Sequence, residues 1–156
     1  KVGILYCSAE SNSSIQAELA REACTELGLE ATDFTVSSTN EIQTVVESMV
    51  GKVDVIFAPT DNTIANGMAT VSMIATDNGL PVICGESGMV EAGGLATYGI
   101  DYYKLGYMAG EMAVDILVNG KNPAEMPIQY QPSDEYELTV NEETAAKLNV
   151  DLSAIQ

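Results

Sequence analysis

The chain has 156 residues, with 23 acidic side chains against 6 basic ones and no histidine, giving a formal charge of −17. That balance repels a nucleic-acid backbone and an anionic membrane surface, and the missing histidine removes Ser-His-Asp triads and His-ligated metal sites. Apolar residues make up 46% of the chain, enough for a buried core, so one compact domain or one lobe of something larger is expected.

The first apolar run, Val2–Tyr6, reads as a strand that opens almost at the first residue, as expected of a piece of a longer chain. After the polar loop Cys7–Asn12, Ser13 and Gln16 have the spacing of a capping box, and Ile15, Leu19, Ala23 and Leu27 follow at i+4 steps until Gly28. Ala31–Val36 reads as a second strand. Ser38 and Glu41 repeat the capping-box spacing, and Ile42, Val45, Val46, Met49 and Val50 trace one helical face. Val53–Ala58 is a buried-type strand, and Thr63–Asn78 reads as one helix carrying Ile64, Met68, Val71 and Ala75 on one side.

Pro81–Cys84 reads as a fourth strand, Met89–Ala92 as a helical turn and Leu95–Ile100 as a fifth strand. The longest stripe belongs to the next helix, with Leu105, Met108, Ala109, Met112, Ala113, Ile116 and Leu117 before Asn119-Gly120. Short strands are expected at Ile128–Gln131 and Glu137–Val140, then a helix from Asn141 through Leu148. No run approaches the 18 apolar residues of a membrane span, and Cys7, Cys24 and Cys84 form no C-x-x-C pair, so neither a disulfide framework nor a zinc knuckle is indicated.

Short apolar strands alternating with amphipathic helices predict an α/β fold: a doubly wound parallel sheet with helices on both faces. Ligands in such sheets bind beyond the carboxyl ends of the strands. The loops there are Cys7–Ser13, Ser37–Asn40, Thr60–Thr63, Gly85–Gly88 and Asp101–Tyr103, rich in hydroxyls, amides and carboxylates. Such a rim suits a small polar molecule. Helix capping alone explains the residue types at Ser13, Ser38, Asp61 and Asn62, whereas Glu10, Glu86 and Asp101 are less easily explained that way.

Catalytic signatures are thin. The dinucleotide fingerprint, the phosphate-binding loop and the G-x-S-x-G elbow are all absent, and no cofactor or metal is indicated. One enzyme reading survives, a two-cysteine racemase using Cys7 and Cys84 at two strand ends, although nothing basic lies near to activate either thiol. A ligand-sensing domain of a regulator or kinase is the other alternative.

The strings Lys1–Tyr6, Ser11-Asn12-Ser13, Thr35–Glu41, Val53–Ile56 with Pro59–Thr63, and Gly99–Tyr103 with Leu105-Gly106 resemble one family across nearly the whole chain. It is the substrate-binding proteins of ABC importers of the tryptophan/tyrosine-uptake type. The resemblance implies the type I periplasmic-binding fold, two lobes closing on a ligand, with this chain as the second lobe. Residues 1–94 and 128–156 would form that lobe, and 95–127 would return to the first.

The implied function is solute binding without catalysis. An amino acid, aromatic ones included, would sit in the interlobe cleft and be presented to an ABC permease in the membrane. Carried over by position, the ligand contacts are Asn12, Ser13, Thr60, Asp61, Glu86 and Asp101, with Asp61 or Glu86 facing an ammonium and the helix start near Ser13 facing a carboxylate. The full-length protein would be extracytoplasmic, periplasmic or anchored as a lipoprotein. If 95–119 lacks its partner lobe, its apolar stripe must pack locally or by exchange between two copies of the chain, a homodimer.

Overall fold

The computed structural model describes residues 1–154. Its strands are β1 (Val2–Cys7), β2 (Ala31–Val36), β3 (Val55–Ala58), β4 (Val82–Cys84), β5 (Ala96–Gly99) and β6 (Glu137–Val140). They form one sheet in the order β2-β1-β3-β4-β5-β6, and the pairs from β2 through β5 are parallel. The helices are α1 (Ser11–Glu26), α2 (Ile42–Met49), α3 (Asn62–Asn66), α4 (Met68–Asp77), α5 (Ser87–Glu91), α6 (Tyr102–Leu117) and α7 (Glu142–Leu148). The chain runs outward from β1 to β2 and back past β1 to β3, and helices lie on both faces of the sheet. The doubly wound α/β expectation is met.

Two compact units divide the chain: Lys1–Thr97 with Thr139–Gln156, and Tyr98–Leu138. In the first unit, Leu5, Val36, Ile42, Val46, Met49, Ile56, Ile64, Met68 and Val71 form the centre of one buried cluster. The apolar faces expected on α2 and on the helix pair after β3 are those that enter this core.

Several local expectations need correction. The helix expected from Thr63 to Asn78 is interrupted at Gly67, where Ile42 of α2 packs so closely that any side chain would collide with it. Neither Ser13 nor Ser38 caps a helix; α1 begins two residues earlier than Ser13, and the Glu41 carboxylate instead accepts from the Ser37 amide and hydroxyl.

The buried face of α1 is also not the one its stripe indicates. Ser13, Ala17 and Cys24 are buried, while Ile15 and Leu19 stay 59% and 58% exposed. Small side chains let a helix lie close to a sheet, and α1 packs on β1 and β2 through them. No strand forms at Ile128–Gln131. Ile128 and Tyr130 are exposed, and Gln131 is buried with its amide spent on the Asp101 N–H and the Glu135 carbonyl.

In the second unit, α6 has no buried residue. Its stripe is half-covered at Leu105, Met108, Met112 and Ile116, and exposed at Ala109, Ala113 and Leu117. Among the described residues no helix is long and apolar enough to cross a membrane.

Candidate functional site

The strand order reverses direction at β1: its chain goes one way to β2, and β3 lies on its other side. Loops leaving two such strands diverge and open a crevice between them, the usual ligand position in a doubly wound sheet. Here the two loops are Ser8–Glu10 after β1 and Pro59–Asp61 after β3, with Gly85-Glu86 after β4 as neighbour.

Side chains from the first loop and from α1 close onto the second. Glu10 accepts from the Thr63 amide at 3.1 Å, the Thr63 hydroxyl at 2.9 Å and the Asn62 amide at 3.4 Å. Asp61 is 2% exposed; one carboxylate oxygen accepts from Ile64 N at 2.9 Å, capping α3, and the other from Cys7 N at 2.7 Å. Thr60 donates its hydroxyl to the Gly85 carbonyl at 3.2 Å. Its carbonyl accepts from Asn12 Nδ2 at 3.2 Å and Gln16 Nε2 at 3.1 Å, and its amide donates to Gln16 Oε1 at 3.0 Å. Three loops that are far apart in sequence are thus tied into one rim through residues 59–63.

The six residues expected at the site divide by what the fold asks of them. Asn12 is exposed and Thr60 half-buried on this rim. Ser13 is wholly buried, and its hydroxyl has no hydrogen-bond partner, so it does not face the crevice as a surface group. Asp61 is consumed by capping and by the β1 end, which replaces its expected role as an accessible counter-charge. Glu86 is half-buried and caps α5, accepting from Gly88 N at 2.8 Å and Met89 N at 2.7 Å. Asp101 belongs to the other compact unit and caps α6 with a single oxygen, through Tyr103 N and Lys104 N.

Capping therefore falls on the acids Asp61, Glu86 and Asp101, with Glu10 bound to the start of α3, and not on Ser13 or Ser38. A carboxylate at a helix start satisfies orphan N–H groups and meets the positive end of the helix dipole. Gln16 is the rim residue that the capping-box reading placed in a different role. Its signal in the sequence was only that glutamine carries both a donor and an acceptor one turn beyond Asn12.

Burial counts against Cys7 and Cys84 as nucleophiles. Cys7 and Cys84 are each 2% exposed, and burial, with the Glu86 carboxylate adding to it, pushes the Cys84 thiol up to about 12. A thiol held protonated at neutral pH cannot abstract a proton, which counts against the racemase reading. Among the described residues no cluster of acidic or thiol side chains is placed to hold a metal ion. A groove of about 740 Å³ runs along α6 past Tyr107, Met108 and Met112; none of the six expected residues lines it.

A family model described as ABC transporter substrate binding protein matches residues 1–154. Over 150 residues the chain is 39% identical to a tyrosine-binding protein of Clostridioides difficile (strain R20291), covering 96% of this chain and 43% of that protein. It resembles the ligand-free, open structure of a substrate binding protein with adhesive properties from Clostridium difficile, at 42% identity and TM-score 0.76, over 96% of this chain and 50% of the other. It also resembles an ABC domain in complex with L-Trp from Streptococcus pneumonia, at 36% identity and TM-score 0.89, over 99% and 52% respectively. The chain spans about half the length of these relatives.

Proposed function

The chain belongs to the ABC transporter substrate-binding protein family, and from that premise we propose that it is one lobe of a receptor for an amino acid, aromatic ones foremost. The observation that carries the reading is the preorganised rim at the β1/β3 crevice, in a family whose relatives are named for tyrosine binding or hold L-Trp. Asn12, Thr60 and Glu86 are the groups of the first unit that we assign to the ligand. Ser13 and Asp61 support the rim from beneath. Asp101, in the second unit, keeps one carboxylate oxygen clear of its own helix.

In the longer protein, the partner half would supply the rest of the ligand contacts, and residues 95–127 would pass into it. Ligand binding would then favour the closed arrangement of the two lobes, and a membrane permease on the extracytoplasmic side would read that closed state. A solute receptor of this kind has no chemical step to perform. Titration calorimetry on the full-length protein with a panel of amino acids tests the reading. Heat with L-tyrosine or L-tryptophan is expected, and no heat with any amino acid overturns the ligand assignment.

A further inference from the structure

Gln16 stands one turn into α1, half-buried, and grips both backbone polar groups of Thr60: its Oε1 accepts the amide at 3.0 Å and its Nε2 donates to the carbonyl at 3.1 Å. The same Nε2 reaches the Asn12 carbonyl at 3.3 Å. An amide side chain serves a donor with its oxygen and an acceptor with its nitrogen at once, and the two partners fix its orientation.

The grip has a consequence for Asn12. The Thr60 carbonyl that Gln16 holds also accepts from Asn12 Nδ2 at 3.2 Å. A carbonyl takes only hydrogen-bond donors, so it turns the NH₂ side of Asn12 inward and leaves Oδ1 as the outward edge. Among the described residues Oδ1 meets no donor of the protein, and Asn12 is exposed. Around it, the Thr60 hydroxyl proton is committed to Gly85, and the carboxylates of Asp61 and Glu10 already accept backbone N–H groups.

We propose that Gln16 is a positioning residue for the ligand rim: through the Thr60 carbonyl it sets the flip of the Asn12 amide, so that Asn12 Oδ1 is presented as a neutral acceptor for an N–H donor such as the ligand's α-ammonium. The proposal rests on the receptor reading above. It makes the rim selective for a ligand that donates at this point, and it places the recognition on a fixed dipole instead of a free acid. A fixed acceptor is favourable because the ordering cost is met when the lobe folds, not when the ligand arrives.

Two variants of the full-length protein test it, Gln16→Met, which removes donor and acceptor at similar volume, and Gln16→Glu, which keeps the acceptor alone. Calorimetry with L-tyrosine and L-tryptophan should show binding weakened about tenfold in both, the loss of roughly one well-made polar contact. Amide hydrogen exchange separates the two: the Thr60 N–H should lose protection in Gln16→Met and keep it in Gln16→Glu. A role in stability alone would lower the unfolding midpoint and leave affinity untouched well below it.

Wild-type binding with unchanged affinity in Gln16→Met overturns the proposal. Equal Thr60 exchange in wild type and Gln16→Met overturns it as well, and that arm decides even with no ligand bound. A wild-type protein that binds no amino acid instead sinks the receptor reading, which is a different result.

Discussion

Asp61 Oδ2 accepts a hydrogen bond from the Cys7 amide at 2.7 Å, joining the end of β1 to the start of α3 across 54 residues of sequence. The other oxygen of the same carboxylate caps α3 at Ile64 N, and the residue is 2% exposed. Asp61→Ala would strand two buried N–H groups and remove a helix cap, a loss on the order of 3 kcal/mol. Urea unfolding checks this, and a midpoint close to that of the wild type would return Asp61 to the ligand surface.

Gly85 lies so close to the β3 loop that a Cβ on it would collide with the Thr60 amide nitrogen and stand 2.6 Å from the Pro59 carbonyl carbon. Both neighbours are backbone and cannot rotate away. Gly85→Ala should therefore push the β3 and β4 loops apart, costing about 1–3 kcal/mol and weakening ligand binding together with stability. Loss of one without the other, by calorimetry and thermal unfolding on the same preparation, would contradict a shared rim.

Much of the architecture could be read from the chain because strand–helix alternation and apolar faces report burial directly. Ile42, Val46 and Met49 on α2, and Ile64, Met68, Val71 and Ala75 on α3 and α4, are buried where periodicity puts them. On α1 the same rule misleads. A small-residue face, Ser13, Ala17 and Cys24, is less conspicuous in sequence than a stripe of Ile15 and Leu19, yet only the small face allows close approach to the sheet. The site was harder to read for another reason. Whether an acid caps a helix or faces a ligand depends on where backbone N–H groups end up, and that is decided for Glu10 by loops meeting across 53 residues and for Glu86 by a single turn.

The α1 assignment has its own test. Leu19→Gln changes a side chain that is 58% exposed and should move stability by no more than about 0.5 kcal/mol. Ala17→Leu adds bulk at a wholly buried position against the sheet and should cost about 1–3 kcal/mol. The reverse ranking in chemical denaturation would put the apolar stripe back in the core.

Cys84 gives a pH signature. Its thiol, ordinarily near 9.0, is pushed up to about 12 by burial first and the Glu86 carboxylate second. Because the folded-state value is raised, the folded protein binds the proton more tightly than the unfolded chain. The associated stability is complete below pH 9 and is lost as pH rises towards 12. Iodoacetamide at pH 8 should leave Cys84 unmodified in the folded protein and label it in urea, as mass spectrometry of its peptide would show. Rapid labelling of the folded protein would mean an accessible thiolate and revive a role for it in chemistry.

The α6 helix carries a further prediction. A 16-residue helix with an apolar stripe normally buries that stripe, and here no residue of it is buried, while Leu117 and Tyr107 are 83% and 62% exposed. Exposed apolar area of this kind is costly in water and favours association. The 156-residue chain by itself should bind a hydrophobic dye and associate with rising concentration in light scattering, and a protein that carries the partner half proposed above, if that half covers α6, should do neither. Met112→Glu, on the half-covered line of Leu105, Met108 and Ile116, should shift the isolated chain towards monomer. An isolated chain that stays strictly monomeric would exclude exchange between copies, and dye binding equal to that of the longer protein would mean that the stripe needs no partner half.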